Sequence, residues 1–403
     1  MDTDRADDVR MRAAAWLQAH AKLRTEVTES GYEADGVPIE VQKAFQAGLY
    51  DAGLAGITWP ADYGGQGLTP AEQLAFRDVA RRYDMPVEIF RVGLGMVGPT
   101  ILDLGTEPQK TRYLPPLVRG EEIWCQLFSE PDAGSDVAGL RSRAVTTAGG
   151  FTLNGSKIWT SAAHVADFGI ALARTDPTVP KHAGITMFVV DMHAPGVTVK
   201  PLVVATGAAP FNQVFFDDVH LPADAVIGKV DEGWAAAVVM LGNERLAGAS
   251  GESEVRNNPL ASDALAELAS GDGDPAVRRR IADLAARERA VALLGQRLRE
   301  ESMVGGYPVA RGSLVKLARA ELHMFSAEVA HDVLDTAAVG TGPGDPRSSA
   351  VAALLGALES GIAGGTNEIQ RTIIGERLLG LEREPRSDKD VPFEVSVAAG
   401  NRR

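Results

Sequence analysis

The sequence predicts an α+β multidomain protein in which an N-terminal helical domain, a central β-barrel or sandwich and a C-terminal four-helix bundle follow one another. Three observations predict it. The texture changes twice along the chain, from apolar residues at helical spacing to short β-type runs and back again. No helical pattern separates the β-type runs, which argues for a sandwich or barrel and against a parallel sheet. The chain has 403 residues, long for a single core.

Residues 1–120 form the first region. "RMRAAAWLQAHAKL", "VPIEVQKAFQAGLYDAGL" and "LTPAEQLAFRDVARRY" place apolar residues on one helical face. In the last of these, Thr69 is an N-cap and Pro70 occupies the first helical position. "WPADYGGQGLT" is a loop punctuated by proline and glycine. "RVGLGMVGPTILDLGT" (91–106) spells G-x-G-x-x-G through Gly93, Gly95 and Gly98, the outline of a dinucleotide site. That site needs a strand, a glycine turn, a long helix and a second strand. Here Pro99 follows the third glycine, Gly105 stops the helix, and "YLPPLV" sets two prolines where the second strand belongs. The glycines read instead as small residues that allow a helix to pack closely.

Residues 121–230 carry "EIWCQLFSE", "LRSRAVTTAGGFTLNGSKIWTS", "DFGIALART", "GITMFVVDM", "VTVKPL" and "NQVFFDDVHL", short strands parted by Gly, Pro and Asn. Residues 231–385 return to long amphipathic helices with short joints, the pattern of an up-and-down bundle, with "GTGPGDPRSS" as a loop inside it. Residues 386–403 read as a polar, weakly ordered tail.

Composition narrows the function. Hydrophobic residues make up 45% and charged residues 23%, with a formal net charge of −14. Such an acidic chain is a poor match for nucleic acid or an anionic membrane surface. The single cysteine, Cys125, excludes an internal disulfide framework or a C-x-x-C pair and reads as a buried structural thiol. No apolar run reaches the ~18 residues that span a bilayer, and no signal peptide is evident, so a cytoplasmic protein is expected. Neither H-E-x-x-H nor G-x-S-x-G occurs, and no metal is expected.

Five stretches in order carry a family resemblance. "WCQLFSEPDAGSD" (124–136) is similar to the strand-ending T/S-E-P-x-A-G-S-D motif of the acyl-CoA dehydrogenase family, and "NGSKIWTSAA" (154–163) to its second signature. "WPADYGGQGLT", "FNQVFFDDVHLP" and "GGTNEIQRTIIGERLLGL" match the family at the expected places. The likeness runs from residue 8 to about 385. It implies an FAD-dependent enzyme of lipid metabolism and β-oxidation that makes a trans-2-enoyl-CoA from an acyl-CoA and passes electrons to an electron-transferring flavoprotein.

A flavin needs hydrogen bonds at its pyrimidine edge and N5 and an apolar wall against its ring. By the resemblance, Phe128 and Ser129 contact the ring edge, Trp159 lies along the ring, Thr160 and Ser161 add polar contacts, and Ser161 points toward N5. Thr366 and Glu368 match further flavin-contacting positions, while Ser135 and Arg245 are assigned to the acyl-CoA. Serine stands at 129 and 161 where threonine is more usual, so the hydroxyl is kept. Singly, each of these residues reads as core, turn or cap; the ordered set points to a site.

The reaction needs a carboxylate base in a water-poor pocket, where burial raises basicity. It also needs donors on the thioester oxygen. Many family members hold the base just before the Gly-Thr of the last motif. Here that motif reads "AGGT", and the position is Gly364. A subset of the family carries the base on an earlier helix as the Glu of an E-R pair. "MLGNERLAGAS" has that pair after an apolar run, so the resemblance makes Glu244 the base and leaves the Gly364 N–H for the thioester oxygen. The plain alternative is a solvated glutamate paired with Arg245. This subset tends toward branched, cyclic or steroid-like acyl groups.

Two family features are missing. The R-x-x-F-G and Q-x-x-G-G motifs, which cross a subunit interface to the flavin pyrophosphate and adenosine, are replaced by "SEVRNNPLASDALAELASGDGDPAVRRRIADL" and "LDTAAVGTGPGDP". Arg278, Arg279 and Arg280 are candidate substitutes, although such a run more often forms a solvated face. A homo-oligomer (dimer or tetramer) with altered flavin contacts and a heterotetramer with a second acyl-CoA dehydrogenase-like subunit both remain open. So do an oxidase or monooxygenase on the same scaffold and a non-catalytic subunit.

Overall fold

The computed structural model describes residues 2–23, 37–249, 260–269, 274–303, 309–335, 340, 345, 347–385 and 389–400. Half of the "GTGPGDPRSS" loop, most of "LDTAAVGTGPGDP", and residues 253–259 and 270–273 of the other replacing segment lie outside them. The first part is helical: α1 (Asp2–His20), a short β1 (Lys22–Leu23), α2 (Ile39–Asp51), α3 (Pro70–Ala80) and β2 (Tyr83–Asp84). Thr69 Oγ1 accepts the Ala71 N–H at 3.3 Å and the Thr69 N–H donates to Glu72 Oε2 at 2.9 Å, so Thr69 caps α3 as expected.

A π-helical turn (Gly93–Val97) then runs into α4 (Gly98–Leu104) and α5 (Glu107–Arg119). A Cβ on Gly98 would lie 2.1 Å from Trp59 Cη2, and one on Gly93 3.0 Å from Leu117 Cδ1. These glycines serve close packing, as the sequence suggests. Thr106 and Gln109 form a capping box for α5. This helix continues through Pro115 and Pro116, held by buried Leu114, Leu117 and Val118 although the prolines donate no hydrogen bonds.

The strands follow as β3 (Trp124–Leu127), β4 (Arg143–Thr147), β5 (Gly150–Ser161), β6 (Phe168–Arg174), β7 (Ile185–Asp191), β8 (Val197–Leu202), β9 (Phe211–Pro222) and β10 (Val226–Ile227). They make two layers, β10-β7-β6-β3 and β4-β5-β9-β8, joined in register only where Arg143 meets Arg174. The β3–β6 pairing is parallel; the others within the layers are antiparallel. Cys125, Leu127, Ala171, Phe188 and Val190 from one layer share a core with Phe151, Leu153, Val214 and Phe216 from the other. Phe151 meets Phe188 edge-on at 5.0 Å. This is a sandwich.

The remaining helices are α6 (Gly233–Ala249), α7 (Ser262–Leu268), α8 (Pro275–Met303), α9 (Gly312–Leu334), α10 (Ser348–Gly356), α11 (Asn367–Ile373) and α12 (Phe393–Gly400). Buried Leu265, Leu284, Val291, Leu322, Val329 and Ala350 knit α7 to α10 into one core.

Two compact units emerge. A helical unit takes residues 1–36, 74–85 and 244–383, and a sheet unit takes 37–73, 86–243 and 384–403. The N-terminal helical segment thus contributes to both. The tail departs from expectation. Phe393 is buried, its N–H donates to the Val179 carbonyl at 2.8 Å, and its ring receives the Arg174 guanidinium at 3.9 Å. "FEVSV" alternates apolar and polar residues, the period of a strand, yet it opens α12 with Phe393 buried and Val395 exposed, so its spacing does not announce the helix. Among the described residues no helix is long and apolar enough to cross a membrane, and no group of side chains is arranged to hold a metal.

Candidate active site

In the sheet unit, β3 ends at Leu127 and the chain closes a tight turn in which Glu130 and Ala133 exchange backbone hydrogen bonds at 3.0 Å. Phe128 is buried, Ser129 half-buried and Ser135 exposed on the following loop. The inner side of this turn is fastened to β5. The Lys157 ammonium, fully buried, donates to Glu130 Oε1 at 2.8 Å and to the Phe128 carbonyl at 3.1 Å. Ile158 N–H donates to the Ser129 carbonyl at 2.9 Å. Glu130 also accepts the N–H groups of Arg141 at 2.6 Å and Ser142 at 3.0 Å.

Burial pulls the Lys157 pKa below the usual lysine range, against the pull of Glu130. Burial alone would raise Glu130. The Lys157 charge and hydrogen bond, with those from Arg141 and Ser142, outweigh it and leave the carboxyl below its ordinary range.

Just past Lys157 the register of β5 against β9 slips, and Trp159 adopts φ +61°. A left-handed tryptophan is strained backbone, held only where its surroundings over-determine it. Its ring is 57% exposed and stands edge-on to Phe211 at 5.9 Å. Thr160 is buried and its hydroxyl has no hydrogen-bond partner, while Ser161 is half-buried. Ser129, Trp159, Thr160 and Ser161 therefore share one rim, joined through the Ser129–Ile158 bond. An exposed flat ring with the accessible hydroxyls of Ser129 and Ser161 on the same stretch suits a planar polar ligand such as a flavin.

In the helical unit, α6 carries Glu244, half-buried. The residue before it, Asn243, is the last of this part of the sheet unit and donates within that unit to the Thr100 hydroxyl at 3.3 Å, which donates to the Met96 carbonyl at 2.7 Å. Gly364 has φ +64° and Gly365 φ +88°. A Cβ on Gly364 would stand 3.2 Å from Glu244 Oε1. The structure thus brings Glu244 and Gly364 together. Thr366 caps α11 by accepting the Ile369 N–H at 3.3 Å, and Glu368 is exposed beside Arg371. Its carboxyl lies below the usual range, chiefly through its backbone N–H and then the Thr366 hydroxyl. Arg245 belongs to α6, but its side chain is outside the described residues.

Sequence reasoning passed over Lys157 and Glu130, although each sits in a quoted motif, because their polar neighbours in sequence give no sign of burial. It also passed over Gln370, buried, whose amide donates to the carbonyls of Gly364 at 2.9 Å and Gly365 at 3.2 Å. Of the three candidate phosphate-binding arginines, Arg280 is held by Asp332 at 2.5 Å and Glu328 at 3.3 Å, so it is committed elsewhere. Cys125 is buried with its thiol pKa raised by burial, as a structural cysteine requires.

Comparison with known proteins defines the class. Models of the acyl-CoA dehydrogenase N-terminal, middle and C-terminal domains match residues 3–121, 125–219 and 231–379. Acyl-CoA dehydrogenase IpdE1 of Mycobacterium tuberculosis is 36% identical over 348 residues, covering 86% of this chain and 89% of IpdE1. The chain belongs to the acyl-CoA dehydrogenase family, a family of FAD-dependent oxidoreductases involved in fatty acid β-oxidation.

Acyl-CoA dehydrogenase FadE34 of the same organism is 42% identical over 377 residues, 93% of this chain; the chain spans about half of FadE34, 51%. Among solved structures, the Tcur3481-Tcur3483 steroid ACAD superposes with a TM-score of 0.78 at 28% identity, covering 94% of this chain and 98% of that one.

Proposed function

We propose that the chain catalyses FAD-dependent α,β-dehydrogenation of an acyl-CoA to the trans-2-enoyl-CoA, with Glu244 as the base. One observation carries this reading: Glu244 Oε1 reaches to 3.2 Å from where a side chain at Gly364 would begin. In many family members the base grows from the position of Gly364. Here the carboxylate comes from another helix and arrives at the same place. The glycine leaves room for it, and the ionised carboxylate takes the α-proton.

Above Glu244, the Gly364 N–H is assigned to the thioester oxygen, where negative charge develops. Gln370 fixes the two carbonyls of the Gly364–Gly365 turn and so holds that N–H in place. On the sheet, Ser129 and Ser161 are assigned to the flavin edge and N5 through their hydroxyls, Phe128 through its backbone, and Trp159 to the ring, while the buried Thr160 would support them from beneath. Bound FAD supplies the acceptor for the β-hydride. Thr366 and Glu368 are assigned to further flavin contacts and Ser135 and Arg245 to the acyl-CoA.

For substrate class, a cyclic or steroid-like acyl group is favoured, supported by the neighbour named as a steroid ACAD. A second acyl-CoA dehydrogenase-like subunit is the favoured partner. The chain lacks the R-x-x-F-G and Q-x-x-G-G motifs, FadE34 is about twice as long as the region matched, and the steroid ACAD carries a paired name. An electron-transferring flavoprotein completes the cycle as acceptor. The test is an anaerobic titration of the FAD-loaded chain, alone and with a candidate second subunit, against acyl-CoAs from straight-chain to steroid-like. Bleaching of the visible band of the oxidised flavin supports the proposal. FAD-loaded protein that no acyl-CoA bleaches removes it.

A further inference from the structure

The proposed chemistry leaves the most deeply buried charge pair of the sheet unit without a role. Lys157 has 0% side-chain exposure and Glu130 7%, at the edge of an apolar sandwich core, with the buried Arg174 as a second cation whose charge acts on both. Such a pair is not required for stability, because apolar residues of similar volume commonly replace one at no loss. Its position is what distinguishes it. Lys157 draws the Phe128 carbonyl inward at 3.1 Å, and Ile158 N–H does the same to the Ser129 carbonyl at 2.9 Å. Two residues after Lys157, Trp159 takes φ +61° where the register slips, and the buried Thr160 hydroxyl is left without a partner.

We infer that Lys157 is a positioning residue. With Glu130 it locks the Phe128–Ser129 turn to the Ile158–Ser161 bulge, so that Ser129, Trp159 and Ser161 form one rigid rim for a flavin ring, with the buried Thr160 beneath it. With both carbonyls turned inward, the rim presents hydroxyl donors, which suit the carbonyl oxygens and ring nitrogens of such a ring. The inference rests on the flavin reading above, but it concerns a geometry that exists before any ligand binds.

The test uses the full chain as wild type, Lys157→Met, and the double variant Lys157→Met with Glu130→Gln, which removes both charges together. The first readout is made without FAD: acrylamide quenching and near-ultraviolet circular dichroism of Trp159, isolated from the other four of the 5 tryptophans by subtracting a Trp159→Phe spectrum. The second is FAD affinity and the visible circular dichroism of bound flavin. The double variant is expected to fold, to show altered Trp159 quenching, and to bind FAD about tenfold or more weakly, as when a partner that orients a ligand-holding group is lost.

A folded double variant with wild-type Trp159 signals and wild-type FAD affinity overturns the inference. So does failure of both variants to fold, which makes the pair a folding requirement. Wild-type chain that takes up no FAD, alone or with a second subunit, contradicts the flavin reading instead, so the two failures are distinguishable.

Discussion

The rim on the sheet is held by a buried charge pair and main-chain hydrogen bonds, whereas the carboxylate in the helical unit is held beside a position with no side chain at all. On the sheet, a buried lysine, a buried glutamate and several main-chain bonds converge on Phe128 to Ser161. In the helical unit, Glu244 Oε1 sits over Gly364, whose left-handed φ of +64° and missing Cβ leave the space. The difference separates two ways of placing reactive groups. A recognition edge for a rigid ring gains from a rigid frame, while a base that moves between two chain positions needs only a clear path to the same point.

Substitutions sharpen that contrast. The largest effect is expected at Lys157: Lys157→Met alone leaves Glu130 buried and unpaired and should cost about 4 kcal/mol of stability, read by denaturant unfolding of the full chain. Removing both charges should recover most of it, and a single variant as stable as wild type would show that the frame does not depend on the pair. Next comes crowding in the sheet unit. Gly98→Ala drives a methyl to 2.1 Å from Trp59 Cη2 and 2.9 Å from Leu117 Cδ2, with the indole and the leucine both buried. A loss of about 3 kcal/mol is expected.

The smallest stability effect belongs to the helical unit. Gly364→Ala places a Cβ in the left-handed region at a cost of about 1 kcal/mol. Its effect on rate should be the larger one, because the new methyl stands 3.2 Å from Glu244 Oε1 and pushes the carboxylate aside. Flavin reduction about tenfold slower, with FAD affinity unchanged, fits this account. Unchanged reduction would mean that the carboxylate does not work at that point.

Much of the fold was legible in the sequence because each region repeats one period: helical spacing, then short strands, then helical spacing again. The Thr69 cap and the packing role of Gly93 and Gly98 were legible for local reasons, a cap residue before Pro70 and a proline after the third glycine. The parallel partnership of β3 with β6 was not, because register between distant strands leaves no local mark. Phe393 was missed because its burial depends on Arg174 and Val179, more than two hundred residues earlier by numbering.

At the candidate site, the motifs brought Ser129, Trp159, Thr160 and Ser161 to one rim and Glu244 to Gly364. Lys157 and Glu130 escaped notice because a charged residue in a motif reads equally well as solvated until its burial is known. Arg280 failed as a phosphate clamp for the opposite reason: Asp332 and Glu328 lie one helix away, where sequence spacing does not reveal them.

The most direct test of the central claim is the rate of anaerobic flavin reduction by acyl-CoA in Glu244→Gln. The amide keeps the size and hydrogen-bonding reach of the carboxylate but cannot take the α-proton. The account predicts retained FAD and acyl-CoA binding with reduction slower by on the order of a thousandfold. Reduction at a rate near wild type would contradict it and move the base to another residue.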